Sequence, residues 1–417
     1  MIRYFKKAIP LSILATGIMA SASFADTLKL PYFLPECFVD LVNPLEYVET
    51  IDLSDNKMMA SWATVIEQKS NSYLMNYGFG GLSHVKTLNL AGNNLFGNFS
   101  VVFPLDTMPS LVHLDISNRD NSFAVYSGSI ACKVWTQLKT FKAKKMNGFS
   151  STFIPNDCTI PASIPLEEVN VFGNNIYGKF PSDIFSAALD LTTFVASGNF
   201  LQGSLPDSIG DLEKLEILEL DGNFLTGTIP ASYTGLHKLN TFTVNDNSYL
   251  TGTLPDFSNH PYLKTFGFSL SEDIPEIPTD CLPDAWIFKI SNGKLSNLKV
   301  PKVNLPISTQ ALALTGGFAG EIPTSFFDDI ITLSNLVILS FSDYEVDLGA
   351  NGQEPTLYGA KTPNYFKGAV PTDFEKLKDQ LLMLSLAYNN FNDTGLPVPL
   401  KHFSKVTALY LQQNDFS

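Results

Sequence analysis

Cysteine is scarce in this chain. Four occur among 417 residues, Cys37, Cys132, Cys158 and Cys281, with neither a C-x-x-C pair nor a zinc-ligand spacing. Histidine is nearly as sparse, and His84, His113, His237, His260 and His402 each lack a metal partner three or four residues on. Ser83 and His84 are neighbours, but adjacent strand residues face opposite ways and no nucleophile elbow surrounds them. Paired carboxylates such as Asp328-Asp329 are common on surfaces. These gaps argue against an enzyme, a metal site or a cofactor.

Positive charge is also short, with 27 Lys and Arg against 41 Asp and Glu. Three of the basic residues sit at the start. Arg3, Lys6 and Lys7 precede an apolar run from Ala8 to Ala20, then the small-residue sites Ala20-Ser21-Ala22 and Ser23-Phe24-Ala25. That run is too short to span a bilayer and reads as a signal peptide over residues 1–25. No Cys follows the small-residue site, so nothing suggests a lipoprotein. Without its three basic residues the chain keeps 24 Lys and Arg against 41 acids, a net charge of −17. Such a charge argues against nucleic acid and anionic lipid as partners. No later segment is long and apolar enough for a transmembrane span, so the expected location is secreted, periplasmic or on the cell surface.

What the chain has is a repeat, and it is clearest from Leu191 to Pro255. Asn199, Asn223 and Asn247 recur every 24 residues inside the pattern L-x-x-L-x-L-x-x-N-x-L-x-G-x-I-P. Gly203, Gly227 and Gly252 follow, each three residues before Pro206, Pro230 or Pro255. In Leu218-Glu219-Leu220-Asp221 apolar and acidic residues alternate, the signature of a short half-buried strand. An Asn amide donates and accepts, so Asn223 can satisfy backbone groups in a buried turn. Gly227 permits positive φ, and Pro230 lacks the N–H needed to continue a ladder. One such coil cannot bury its apolar stripe alone, whereas stacked coils bury it continuously.

The extension Leu225-Thr226-Gly227-Thr228-Ile229-Pro230 resembles that of plant-type extracellular leucine-rich repeats, as in receptor-kinase ectodomains and polygalacturonase-inhibiting proteins. The resemblance implies an α/β solenoid: a right-handed horseshoe with a concave parallel sheet and convex turns or 3-10 segments. Residues 26–47 are expected to form an N-terminal cap, without the paired cysteines of the plant family. Residues 48–417 then hold about 13–14 repeats, with a Gly-, Pro- and Asn-rich insertion near 347–365.

Each repeat is expected to supply one strand, a rung of the sheet. The structural Asn ladder comprises Asn56, Asn93, Asn174, Asn199, Asn223, Asn247, Asn389 and Asn414, while Arg119 and Met146 occupy the Asn slot of repeats three and four. Repeats nine to eleven are degenerate, with Ser271, Gly293 and Gly317 in that slot. The last coil, Val406 to Asn414, has no polar coil after it, which predicts self-association through that coil or a longer gene. Cys158 and Cys281 fall where Ile209 and Tyr233 stand in the clean repeats, which predicts buried thiols. A Cys132–Cys158 bridge between adjacent coils is the competing reading, since they lie about one period apart.

Residues between the buried Leu positions should project from the sheet in columns, on rungs about 4.8 Å apart. Lys139, Lys142 and Lys144 make rung four basic, and Glu168 and Phe172 follow on rung five. Glu216, Ile217, Glu219 and Asp221 make rung seven acidic, and Thr241 and Asn245 follow on rung eight. These columns form a candidate face for a protein partner. Carbohydrate or cell-wall binding, or adhesion with the repeats as scaffold, are the alternatives, and a solvated face is the plainer reading.

Overall fold

In a computed structural model the described residues are 27–29, 49–52, 54–55, 59–61, 84–98, 108–118, 126–127, 130–146, 152–155, 158–247, 249–270, 276–277, 281–292, 300, 302–342, 345–347, 356–358 and 364–417. The signal peptide expected over 1–25, most of the cap, Asn56 and Arg119 lie outside them. The chain divides into two compact units, residues 1–177 and 178–417.

The Leu alternation read from the repeats folds as short parallel strands. In the first unit five rungs run in order, Thr50–Asp52, Thr87–Asn89, His113–Asp115, Thr140–Lys142 and Glu168–Asn170. Thr27–Lys29, within the expected cap, adds a further parallel strand against Thr50–Asp52. In the second unit nine rungs follow, numbered six to fourteen here: Thr193–Val195, Ile217–Glu219, Thr241–Thr243, Thr265–Leu270, Ile287–Asn292, Ala311–Thr315, Ile338–Ser340, Met383–Ser385 and Ala408–Tyr410. Among the described residues these rungs number fourteen, one strand to each repeat read from the sequence.

Register places the second apolar residue of each repeat in one inward row. Leu88, Phe141 and Val169 in the first unit, and Leu218, Phe242, Phe266, Phe288, Leu312, Leu339 and Leu384 in the second, have no exposed surface, and Leu114 has 1 %. Phenylalanine fills the space behind them. Phe257 stacks on Phe242 at 5.2 Å and meets Phe266 at 5.1 Å, and Phe374 packs edge-on to Phe327 and Phe341.

The coil turns where the Asn appears. Asn223 Nδ2 donates to Leu220 O and to Ala196 O one rung back, both at 3.0 Å, while its Oδ1 accepts from Leu201 N–H. Asn174, Asn247, Asn389 and Asn414 repeat this three-bond pattern. Asn93 and Asn199 donate to Leu90 O and Ala196 O of their own coils. The residue before the Asn adopts left-handed φ, Gly222 at 61° and Asp246 at 54°, a conformation that Gly, and less often Asp, adopts.

Past the turn, Phe200–Ser204, Phe224–Gly227 and Tyr249–Leu250 pair in parallel as a second small sheet. Gly203 and Gly227, at φ 93° and 78°, bend the chain away from it. Pro206 and Pro230 then open the 3-10 segments Asp207–Asp211 and Ala231–Gly235. Ile209 and Tyr233 close these turns from inside, fully buried, with the Tyr233 hydroxyl donating to Pro206 O.

Cys158 differs from its expectation as a buried thiol. It is half-buried and forms a disulfide with Cys132, at the start of the helix Cys132–Gln137, their Cα atoms 5.1 Å apart.

The extra residues of repeat twelve are also displaced from their expected bounds of 347–365. Asn364 is the Asn of that repeat: Nδ2 donates to Leu314 O and Phe341 O, and Oδ1 accepts from Phe318 N–H. The insertion therefore lies between Ser342 and Asn364. Within it Glu345–Asp347 and Thr356–Tyr358 pair antiparallel.

Candidate functional site

The candidate residues belong to two units, and in each they lie on or beside the sheet face opposite the Leu rows. In the first unit the basic rung is matched by the next one. Lys139 Nζ lies 2.6 Å from Glu167 and Lys142 Nζ 2.9 Å from Glu168, and Glu49 and Lys86 form a similar pair at 2.7 Å. Solvent-screened pairs of this kind contribute about 0–1 kcal/mol each. Their effect on recognition is larger, because the lysines do not present an uncompensated basic stripe. Lys144 N–H donates to Ser117 Oγ, and the Lys145 ammonium sits 5.4 Å from the centre of the Phe172 ring.

The polar residues that close these strands have structural work. Asp52, Asn89, Asp115 and Asn170 each accept, at Oδ1, the N–H two residues on. Such Asx turns hold the strand exits in place. The spacing was visible in the sequence as an acidic or amide residue at the same offset in four repeats.

In the second unit Glu216 is exposed, and Ile217, Glu219 and Thr241 are half-buried on adjacent strands. Asp221 and Asn245 depart from the expectation of a presented face. Asp221 Oδ1 accepts the Asn245 N–H at 2.8 Å, and Asp221 N–H donates to Ser197 Oγ at 2.9 Å. Asn245 is only 3 % exposed because its side chain lies over Gly267 of rung nine, where an added Cβ would come within 2.2 Å of Asn245 Oδ1. On rung seven Glu216 is exposed, and Ile217 and Glu219 are half-buried.

Sequence reasoning missed a second exposed feature, on the small turn-side sheet. Phe200 and Phe224 are 44 % and 41 % exposed and stack on one another at 5.9 Å, 13° from parallel. Tyr249, 58 % exposed, follows one coil on. The signal was the apolar residue directly after the ladder Asn in two successive repeats.

Residues 214–236 match the family model described as Leucine Rich Repeat. The chain carries leucine-rich repeats. No curated protein matches the sequence. Among solved structures, the leucine-rich-repeat ectodomain of the Arabidopsis thaliana receptor kinase GASSHO1/SCHENGEN3, in complex with CASPARIAN STRIP INTEGRITY FACTOR 2, is 20 % identical with a TM-score of 0.48, covering 93 % of this chain and 46 % of that one. The plant peptide hormone receptor RGFR1 in complex with RGF2 is also 20 % identical, with a TM-score of 0.46 and coverage of 94 % and 58 %. An internalin from Listeria monocytogenes is 16 % identical, with a TM-score of 0.48 and coverage of 90 % and 84 %. The chain spans about half the length of the two plant receptors. Among the described residues no helix is long and apolar enough to cross a membrane.

Proposed function

We propose that this leucine-rich-repeat chain is a secreted or surface-held, non-catalytic recognition module that binds a protein partner through the open part of its sheet. The observation that carries this reading is rung seven, where half-buried Ile217 stands between Glu216 and Glu219 on a strand paired on both sides. An apolar anchor with acidic flanks, on a backbone that cannot rearrange, suits a partner segment that is basic with an apolar centre. Neighbouring rungs add no competing charge, since the flanking strands Thr193–Val195 and Thr241–Thr243 hold no charged residue.

A carbohydrate ligand is the second reading, and Phe200 and Phe224 are the residues that favour it, with Gln202 and Thr226 exposed beside them. Their rings stack on each other, so one flat surface of each is turned to its neighbour rather than to a sugar.

The deciding experiment is capture from envelope and host extracts beside a glycan array, using the unaltered chain and the double variant Glu216→Lys/Glu219→Lys. Asp221 is left intact because its carboxylate holds the next rung. The expected result is a captured protein whose affinity falls about tenfold in the variant, or 1.4 kcal/mol, with an unchanged Tm. Glycan binding that the double variant leaves intact, and that Phe224→Ala abolishes, overturns the reading in favour of the second.

A further inference from the structure

We propose that the partner's bound segment is a continuous stretch of chain that crosses the strands from rung seven to rung ten, with its charges in a fixed order. A basic side chain sits at Glu216, an acidic one at Lys264, and an apolar one against Trp286. The inference rests on the proposed reading of rung seven and adds to it the order in which a partner's residues are read.

The rim where the strands begin is open over these rungs. Glu216, Asn240, Lys264 and Trp286 hold the same place in successive repeats, each just before its strand. Their backbones are tied rung to rung. Asn240 N–H donates to Glu216 O at 2.8 Å, Lys264 N–H to Asn240 O at 2.8 Å, and Trp286 N–H to Lys264 O at 2.9 Å. Glu216 and Lys264 are exposed, Asn240 is half-buried, and Trp286 is 42 % exposed. An exposed tryptophan on a fixed backbone suits an anchoring contact with a partner.

Charge is laid out here differently from the first unit. There, opposite charges stand on adjacent rungs and pair, Glu49 with Lys86, Lys139 with Glu167 and Lys142 with Glu168. Along the second unit's rim a neutral residue, Asn240, separates Glu216 from Lys264. Two rungs put them about 10 Å apart, beyond ion-pair reach. Among the described residues neither has an ion-pair partner, and the Lys264 ammonium instead sits 5.0 Å from the centre of the Trp286 ring. Opposite charges held apart on a rigid rim form a dipole that the array itself leaves unneutralised. A partner with the reverse order of charges neutralises it.

The neighbouring columns repeat that order. Register leads from Glu219 through Thr243 and Gly267 to Lys289, again acidic at rung seven and basic at rung ten. The column between runs from Ile217 through Thr241 and Thr265 to Ile287, apolar at both ends and hydroxylic in the middle, each residue half-buried. The two isoleucines are three rungs apart, about 14 Å. An extended segment rises about 3.1–3.4 Å per residue. Its basic and acidic side chains therefore stand about three residues apart, and the whole footprint takes about five residues.

The test selects a phage-displayed library of random dodecapeptides on the full chain. The same selection is run on Lys264→Glu, on Trp286→Ala and on the exchange variant Glu216→Lys/Lys264→Glu, with Tm as the check on folding. The full chain should enrich peptides with a basic residue about three positions from an acidic one, and an aromatic or large apolar residue beside the acid. Lys264→Glu should lose the acidic residue and Trp286→Ala the apolar one, with an unchanged Tm. An enriched peptide should bind the full chain about tenfold tighter than its copy with the two charges interchanged, and the exchange variant should abolish or invert that ratio. If Lys264→Glu lowers the Tm, Lys264→Gln decides. Enriched peptides that carry basic and apolar residues alone, unchanged by Lys264→Glu, overturn this inference and leave the rung-seven reading standing. An empty selection also overturns this inference alone, since a folded partner held at rung seven needs no continuous segment. Enrichment that Glu216→Lys/Glu219→Lys leaves intact places the site elsewhere and overturns both.

Discussion

Rungs seven and twelve are interchangeable on one side of the sheet and opposite on the other. Leu218 and Leu339 occupy the same inward row and neither has exposed surface. Across the strand, Ile217 is half-buried between two glutamates, whereas Ile338 is 1 % exposed against Ala311 and Met383. The repeat motif dictates the inward side, because every coil must bury the same stripe against its neighbours. It leaves the other side free to differ: acidic at rung seven, where Glu216 is exposed, and small and apolar at rungs eleven to thirteen, where Ala311, Ile338 and Met383 are buried.

The strongest way to break this comparison is from the inside. Leu218→Ala and Leu339→Ala should each destabilise the second unit by about 2–5 kcal/mol, since each leaves a cavity in the same row. Denaturant titration of the two variants checks it. A substitution tolerated at one rung and not at the other would show that the inward rows are not equivalent.

The outward pair should then separate. Ile338→Ala removes a fully buried side chain and should cost about 2–4 kcal/mol, while Ile217→Ala should change stability by about 1 kcal/mol or less. Equal losses in the two variants would mean that rung seven is as buried as rung twelve, which would also sink the proposed binding surface.

The ladder tests what the two regions share. Asn223→Ala leaves Ala196 O, Leu220 O and Leu201 N–H without their side-chain partner, and should cost about 1–3 kcal/mol. Asn389→Ala should lose a similar amount, because its bonds to Phe341 O, Leu386 O and Phe366 N–H repeat the pattern beside the buried face. An unchanged Tm in either variant would refute the structural role assigned to that Asn.

How much of this was legible before the structure follows the same division. The Leu rows, the fourteen strands and most ladder Asn positions could be read directly, because a repeat states its constraint many times over. Asn364 could not, since the insertion separates it from Phe341 and destroys the spacing that identifies it. Thr27–Lys29 carries no repeat motif and gave no sign of joining the sheet. The use of Asp221 and Asn245 depends on an adjacent rung and on a Gly267 that admits the Asn245 side chain. The buried face was written in the alternate positions as Ala311, Ala313, Ile338 and Met383, but it shows only when those columns are read down the array rather than along one repeat.

The smallest expected effect concerns pH and tests whether the second unit between these regions is dry on its turn side. His260 is 3 % exposed, with Nδ1 3.1 Å from Phe257 O and its ring 5.0 Å from that of Phe257. Burial holds its pKa below the ordinary histidine value. The Phe257 carbonyl pulls the other way, the His237 ring 5.9 Å away lowers it further, and the Tyr233 backbone and Asp256 partly offset the shift. A folded pKa below the unfolded one means the unfolded chain takes up the proton first as pH falls. This contribution to stability is therefore complete above the ordinary value of about 6.5 and declines as pH falls from there toward the folded pKa. His260→Gln removes the titrating ring and keeps a donor for Phe257 O. The difference in Tm between the unaltered chain and the variant should shift against the unaltered chain as pH drops from about 7.5 to 5.5. His237 and Asp256 remain in both proteins. A difference that stays constant across that range would mean that water reaches the ring and that burial does not govern this histidine.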